Sequence, residues 1–224
     1  MPLTRAAGTS SDRVYRELRQ SIILGHRTPG ARLSVEDLAK ACGTSITPVR
    51  EALQMLNQEG LVTSKPHSGF FVTQVTLKEL RDMLELREVL EVAAVERAAA
   101  RITAAQLEEL QQVHAGYTGD DDESYVRYMA ENRQFHYLVA QASGNQELAE
   151  AVGRIHDRLT RFMVMIHTGD VIESIHMRLV EVLRTHDVKI AKQTILCEIN
   201  ETRDSTLESV IQEDGAFWNL GTQE

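Results

Sequence analysis

The segment that most constrains the fold runs from Ser34 to Leu56, SVEDLAKACGTSITPVREALQML, and has the pattern of two short helices joined by a tight turn. Ser34 is a favourable N-cap for the first helix. Cys42 and Gly43 end that helix, because glycine readily adopts the left-handed conformation that closes many helices. Pro48 falls in the first turn of the second helix, where its missing N–H costs no hydrogen bond. The segment therefore predicts a helix-turn-helix.

The outer side of the second helix carries small hydroxyl side chains and one cation at its first turn. These positions are Thr44, Ser45, Ile46, Thr47 and Arg50. Such residues at a helix N-terminus suit a DNA groove, which presents phosphates and base edges. The alternative is a solvated helix start with ordinary caps.

Two short β-rich runs follow, in the segments 61–65 and 69–72, and a turn rich in Pro, Ser and Gly separates them. This pattern predicts a hairpin. A hairpin after a helix-turn-helix is a wing, and its tip, Lys65 to Gly69, offers a cation, a histidine and bare backbone to a duplex. The alternative is a hairpin that only covers the core.

Together these elements closely resemble the winged helix of GntR-type bacterial transcription regulators, most specifically through the run TPVREAL from Thr47 to Leu53. In that family the second helix enters the major groove and the wing reaches the minor groove. By position, the resemblance implies DNA contacts at Arg32, Thr44, Ser45, Thr47, Arg50, His67 and Gly69. The chain departs from the family at Ile46, where many members have arginine, so its operator is expected to differ from the commonest family consensus.

Charge is divided unevenly along the 224 residues. Residues 1–73 hold nine Lys/Arg and six Asp/Glu, whereas the remainder holds 15 and 27. A locally basic segment on an acidic chain fits a site-specific DNA binder better than a general nucleic-acid coat, because phosphate attraction acts within a Debye length of ~8–10 Å. No apolar run approaches the length of a membrane span, and the N-terminus lacks an apolar signal core, so we expect a cytoplasmic protein without membrane contact.

The predicted fold is mostly α-helical: an N-terminal winged helix-turn-helix of α-α-α-β-β order, followed by an all-α six-helix effector-binding bundle. The expected boundaries are a disordered start over residues 1–10, a DNA-binding domain over 11–74, a helical domain over 75–214 and a tail over 215–224. A capping box at Thr76 to Glu79 marks the start of the helical domain, and no proline follows Pro66.

Four polar positions stand out in the helical domain. Asn132 and His136 are four residues apart and therefore share one helix face. His176 lies in mid-helix, and Glu198 lies in the next helix, where an antiparallel partner can reach the same level. Two imidazoles, a carboxylate and an amide oxygen in a bundle suit Zn²⁺, Ni²⁺ or Mn²⁺. The alternative is that the histidines are ordinary core residues.

The segments DMLELR with Leu90-Glu91, NRQFH and ASGN resemble the FCD effector domain of the FadR-type GntR regulators. Many such domains bind a divalent metal through an aspartate and three histidines. By position those ligands are Asn132, His136, His176 and Glu198, so two of the four depart from the family pattern, and the metal is either retained or lost. The remaining histidines, His114, His156, His167 and His186, are expected to be surface or packing residues.

The resemblance also implies a small carboxylate effector, which completes the metal sphere and meets an arginine. Arg87 is the candidate, and the alternative is a surface ion pair between Arg87 and Glu91. We therefore predict a homodimeric repressor, not an enzyme, that binds a two-fold symmetric DNA operator and responds to a small organic acid. The alternatives are a regulator that senses metal directly and a metal-dependent enzyme built on the bundle.

Overall fold

The computed structural model describes residues 9–113, 122–163 and 169–212. Within these ranges it contains nine helices and three short strands. The chain divides between Val75 and Thr76 into two compact units. The predicted tail at 215–224 and two of the histidines, His114 and His167, lie outside the described residues, as do residues 1–8.

The first unit contains three helices and a small sheet. The elements are α1 (Ser10–Ile23), β1 (Arg32–Leu33), α2 (Val35–Ala41), α3 (Ile46–Gln58), β2 (Val62–Lys65) and β3 (Gly69–Val72). The strands are antiparallel in the order β1-β3-β2, with Leu33 opposite Phe70 and Val62 opposite Val72. This is the predicted winged helix-turn-helix with one correction: the order is α-β-α-α-β-β, because the two residues of β1 add a third strand to the hairpin.

Local capping positions the helices of this unit. The Ser34 hydroxyl accepts a hydrogen bond from the Asp37 N–H at 3.2 Å, and Gly43 closes α2 with φ of 59°. A capping box between Thr9 and Asp12 starts α1. The predicted disordered start was therefore wrong for residues 9 and 10, since Thr9 caps this helix and Ser10 is its first residue.

The core of the first unit forms where α1, α2 and α3 pack on the sheet. Its fully buried side chains include Val14, Val49, Leu53 and Leu56. The apolar stripe of α3 thus faces inward, and burying each such side chain stabilises the fold by about 1.5–3 kcal/mol. The opposite face of α3 is left to solvent.

The second unit is the predicted six-helix bundle. Its helices are α4 (Leu77–Ala99), α5 (Ala104–Gln112), α6 (Asp122–Ala142), α7 (Gln146–Met163), α8 (Gly169–Arg184) and α9 (Val188–Gln212). Capping boxes at Thr76 and Thr103 begin α4 and α5. Apolar side chains of α4, α5, α6, α8 and α9 form the main core of this unit, with Phe135, Leu179 and Ile195 fully buried in it.

No helix within the described residues is long and apolar enough to cross a lipid bilayer.

Candidate functional site

A groove of about 530 Å³ on the first unit brings together three of its exposed cationic side chains, Arg32, Arg50 and Lys65. The predicted DNA-contacting residues that line it are Arg32, Arg50, His67 and Gly69, and Lys65 and Gln54 line it as well. It is bounded by β1, the outer face of α3 and the hairpin tip. Residues of α2, β2 and β3 also line the groove, and Glu36 is the acidic side chain among them, so the three cations give the surface a net positive charge.

The hairpin tip is shaped by two residues with left-handed backbone. His67 has φ of 59° and Gly69 has φ of 98°, and the Ser68 N–H donates to the Lys65 carbonyl at 3.1 Å. This tight turn projects the His67 ring, and the Asn57 side chain at the end of α3 accepts a hydrogen bond from the Ser64 N–H at 3.1 Å. The hairpin is thereby tied directly to α3.

The start of α3 lies beside this groove rather than in its lining. Ser45, Ile46 and Thr47 are exposed there, and Thr44 is half-buried. The Ser45 side chain occupies the N-cap position but makes no capping hydrogen bond, so its hydroxyl remains available to an external partner. Ile46 is 43% exposed, which is unusual for a branched apolar side chain at a helix start.

A second candidate site lies inside the helical unit, where seven polar side chains from five helices are buried together. They are Arg87 and Glu91 of α4, Asn132 and His136 of α6, His156 of α7, His176 of α8 and Glu198 of α9. None is more than 2% exposed. Such a cluster is costly to bury unless its charges are paired.

His136 is at the centre of the cluster. Its Nδ1 lies 2.7 Å from Glu91 Oε2, and its Nε2 lies 3.1 Å from Glu198 Oε1. The Nε2 of His176 lies 3.1 Å from the Nε2 of His136 and 3.4 Å from Glu198 Oε1. The ligand atoms of His136, His176 and Glu198 all lie within 4.8 Å of one another, a spacing that could hold a metal ion.

Glu91 is bound from three sides. Its Oε1 accepts from Arg87 Nε at 2.5 Å and lies 2.8 Å from His156 Nε2, while its Oε2 faces His136. Arg87 also reaches Glu198 Oε1 with Nη2 at 3.5 Å. The alternative of a surface Arg87–Glu91 pair is therefore wrong in one respect: the pair exists, but it is buried.

These charges shift the pKa values of the cluster. Burial alone would lower the pKa of His136, but Glu91 and Glu198 outweigh it and raise the pKa to about 9. Burial and the charge of His136 lower the pKa of His156 to about 3. Burial would raise the pKa of Glu198, yet His136 and His176 hold it below its ordinary value. Two cations, Arg87 and protonated His136, thus offset two carboxylates, and the cluster is neutral.

Several polar atoms of the cluster have no hydrogen-bond partner among the described residues. They are Asn132 Oδ1, Glu91 Oε2, Glu198 Oε2, His156 Nδ1 and Arg87 Nη1, and of these Glu91 Oε2 has an ion pair with His136 Nδ1. Buried polar atoms in native proteins are nearly always paired, so unpaired ones indicate an ion, water or ligand. Two imidazoles, one carboxylate and one amide oxygen also match the donor types of Zn²⁺, Ni²⁺ and Mn²⁺, so the residues fit a divalent metal.

Sequence reasoning missed two members of this cluster, Glu91 and His156. His156 was predicted to be a surface or packing residue, and this was wrong because its ring is buried against Glu91 and stacks on His136 at 4.4 Å. A signal was present: Arg87 and Glu91 occupy the apolar stripe of α4, in line with Leu84 and Ala94. His186, by contrast, is an exposed residue, within the prediction, and its Nδ1 lies 2.8 Å from the Ala99 carbonyl oxygen.

The family comparisons agree with this geometry. Residues 10–72 match the family model for bacterial regulatory proteins of the gntR family, and residues 82–200 match the FCD domain. The chain belongs to the GntR family and carries an FCD domain. This GntR-family protein is a DNA-binding transcriptional regulator and not an enzyme.

Its relatives include proteins named as regulators. It is 30% identical over 210 residues to the uncharacterized HTH-type transcriptional regulator YdhC of Bacillus subtilis, covering 89% of this chain and 91% of that one. It is 24% identical over 214 residues to the HTH-type transcriptional repressor RspR of Escherichia coli, covering 93% and 92%. Among solved structures, E. coli McbR/YncC superimposes with a TM-score of 0.70 at 26% identity, covering 92% of this chain and 100% of that one.

Proposed function

We propose that this GntR-family regulator is a homodimeric repressor that binds a two-fold symmetric operator in the bacterial cytoplasm. We further propose that a small organic acid, bound with a divalent metal in the FCD domain, changes its affinity for the operator. The relative RspR is named a transcriptional repressor, which supports the proposal that this protein represses transcription.

The groove of the first unit supports the proposed operator contacts. Arg50 lies on the exposed face of α3 and lines the groove, which supports its proposed role in reading a base edge in the major groove. Arg32, Lys65 and His67 surround the same groove and are placed to meet phosphates or the minor groove. Thr44, Ser45 and Thr47 present hydroxyl groups at the start of α3, where the helix dipole also favours a phosphate.

The unpaired atoms of the buried cluster are the observation that carries the effector proposal. A divalent ion would be held by His136, His176, Glu198 and Asn132, and would supply a Lewis-acid centre for a carboxylate oxygen. The unpaired Nη1 of Arg87 is the donor that the second oxygen of a small carboxylate requires. Arg87 thereby serves both as a partner of Glu91 and as the proposed effector contact.

Charge balance supports an anionic effector. The cluster is neutral while His136 is protonated. A dication that takes the place of the His136 Nε2 proton leaves the cluster with one net positive charge. A monocarboxylate offsets that charge, so its binding avoids the cost of burying an unpaired ion.

The exposed apolar residues of α4 support the proposed dimer. Leu86 is 46% and Val89 is 62% exposed, and Leu86 borders a shallow groove of about 190 Å³ with Met83 and Arg158. Charged side chains, Glu79, Asp82 and Arg158, line the rest of the groove, so a second copy that covers this surface would bury an apolar centre within a charged rim. Two winged helices held by such a contact can match two operator half-sites.

Regulation then requires only that the effector has different affinities for two arrangements of the dimer. The effector binds one arrangement of the dimer better than the other, and a coupling free energy of ~1–3 kcal/mol changes the affinity for the operator 5- to 150-fold. The release of the operator is thus a shift between two populations.

The proposal is tested by fluorescence anisotropy on duplex DNA from upstream of its own operon, with random duplex as control, while small organic acids are titrated with and without Zn²⁺, Ni²⁺ or Mn²⁺. We expect preferential binding of the upstream duplex, and release by an acid that requires both metal and Arg87. The same acid should raise the thermal stability, since a ligand at 100 times its Kd adds ~2.7 kcal/mol. Equal affinity for random duplex at physiological salt would refute operator binding.

A direct metal sensor is the second candidate, because the three convergent ligand atoms of His136, His176 and Glu198 need no organic molecule to bind an ion. Release of the operator by metal alone, with no further effect of any acid, would favour this function over the first.

A further inference from the structure

Glu91 and His136 meet on the side of the imidazole ring that faces away from the proposed metal site. Glu91 Oε2 lies 2.7 Å from Nδ1, whereas Glu198 and His176 lie within 3.1 Å of Nε2. The two ring nitrogens therefore have different partners. Glu91 belongs to α4 and His136 to α6, so this contact exists only in the packed bundle.

The chemistry of the contact determines which nitrogen carries a proton. An ionised carboxylate has acceptor atoms only, so its charge 2.7 Å from Nδ1 favours the form of His136 with the proton on Nδ1. A neutral His136 then has its lone pair on Nε2, directed at Glu198 and His176. Hydrogen bonding at one ring nitrogen is a general way of selecting the nitrogen that binds a metal.

Glu91 is itself held in place. Arg87 and His156 both contact its Oε1, at 2.5 and 2.8 Å, which leaves Oε2 directed at His136. Arg87 Nε, 2.5 Å from Oε1, supplies the positive charge that favours the ionised carboxylate of Glu91. These contacts join α4 and α7 to the histidine of α6.

We propose that Glu91, held by Arg87 and His156, is a positioning residue that fixes His136 in its Nδ1–H form and so makes Nε2 the metal-binding nitrogen. The inference rests on the proposed metal site, and it assigns a role to Glu91 and His156 without making either a ligand. One metal ion per chain is therefore expected, although Glu91, His136 and His156 also lie close enough together to hold an ion.

The first test measures Zn²⁺ affinity and stoichiometry of the full-length protein by competition with a chromophoric chelator. We expect Glu91→Gln and Glu91→Asp each to weaken binding by ~10- to 100-fold, the usual effect of removing such a partner. Glu91→Asp keeps the charge but shortens the reach by one methylene, so it separates positioning from simple attraction. Wild-type affinity in Glu91→Asp, or two ions per wild-type chain, would overturn the proposal.

Asp157 provides a matched control. It follows His156 in sequence and joins α7 to α6 through a 2.8 Å ion pair with Arg133, outside the cluster. Asp157→Asn should loosen the same helix pair without changing Zn²⁺ affinity. If Asp157→Asn loses as much Zn²⁺ affinity as Glu91→Gln, both effects come from general loosening of the helix packing. That result would contradict a specific role for Glu91.

A second measurement does not depend on how well Glu91 variants fold. ¹⁵N NMR of histidine-labelled, Zn²⁺-loaded wild-type protein should show His136 protonated at Nδ1 and bound through Nε2. In His156→Leu, which leaves Oε1 of Glu91 with Arg87 alone, the affinity for Zn²⁺ should fall several-fold, whereas His156→Gln retains a donor and should lose less. Binding through Nδ1 in the wild-type protein would overturn the proposal.

If the wild-type protein binds none of Zn²⁺, Ni²⁺ and Mn²⁺, the proposed metal site itself is wrong and the positioning role fails with it.

Discussion

The Nε2 atoms of His136 and His176 lie 3.1 Å apart in the interior of the helical unit, although 40 residues separate the two histidines in sequence. Phe135 holds the second ring by stacking on it at 4.1 Å. Two ring nitrogens at this distance cannot both carry a proton. One of them must accept, or both must face a shared cation, and Glu198 supplies the neighbouring negative charge.

The pH dependence of stability follows from the same histidines. The pKa of His136 is raised from 6.5 to about 9, so its stabilising contribution is complete below pH 6.5 and is lost as the pH rises through 9. The pKa of His156 is lowered from 6.5 to about 3, so protonation of the unfolded chain removes stability as the pH falls below 6.5. Metal-free protein should therefore be most stable near pH 6.5.

Urea unfolding in the presence of a chelator, between pH 5 and 10, measures this profile. The limb above pH 6.5 should have a slope of at most about 1.4 kcal/mol per pH unit for one titrating group, whereas the acid limb can be up to about twice as steep, because burial also lowers the pKa of His176. His136→Asn should remove the fall above pH 6.5 and shorten the acid limb, because the charge of His136 contributes to the lowered pKa of His156. A flat wild-type profile from pH 6.5 to 9 would contradict the assigned charge of His136.

Glu198→Gln should destabilise the metal-free protein. The substitution preserves shape but leaves Arg87 and His136 with one carboxylate instead of two. An uncompensated buried charge costs ~3–5 kcal/mol, although deprotonation of His136 relieves part of this. The midpoint of urea unfolding at pH 6.5 reports the loss of stability relative to the wild-type protein. This loss should be smaller at pH 9. The exposed Glu181→Gln is the matched control and should have little effect, since its pair with Arg184 lies on the surface.

Arg50→Ala should reduce specific operator binding while leaving the fold intact, because Arg50 is exposed on α3. Loss of a base-reading arginine costs ~1–3 kcal/mol, and specificity should relax at the base pair it reads. Anisotropy on operator and random duplexes measures both effects. Lys40→Ala, an exposed cation of α2 that does not line the groove, is the control and should retain specificity. An undiminished operator preference in Arg50→Ala would show that the docking is wrong.

Ile46 should read a thymine methyl group. It is an exposed apolar side chain at the start of α3, and apolar side chains distinguish thymine by its methyl group in the major groove. In duplexes selected by the wild-type protein from a random library, replacing one half-site thymine by uracil should weaken binding roughly fourfold, or about 0.8 kcal/mol for one methyl group. Ile46→Ala should be insensitive to that replacement. If it is as sensitive as the wild-type protein, another residue contacts the methyl group.

Local signals made much of the fold predictable. Ser34, Thr76 and Thr103 start helices through hydrogen bonds to residues three positions away, and Gly43 ends one through its own backbone conformation. Such interactions join residues that are close in sequence, so they can be predicted from the sequence. The two residues of β1 escaped prediction because a strand that short has no pattern of its own and exists only through pairing with β3.

The sequence by itself determined the two-unit plan, the helix-turn-helix with its wing, and the shared face of Asn132 and His136. Only the tertiary structure decided which side chains meet in the interior. Arg87 reaches Glu198 across 111 residues, and Glu91 reaches His156 across 65. Contacts of that range depend on how helices pack, and a stripe of apolar positions sets which face is buried but not what that face touches. The burial of Arg87 and Glu91 is therefore a property of the bundle, which supplies the opposite charges that make it tolerable.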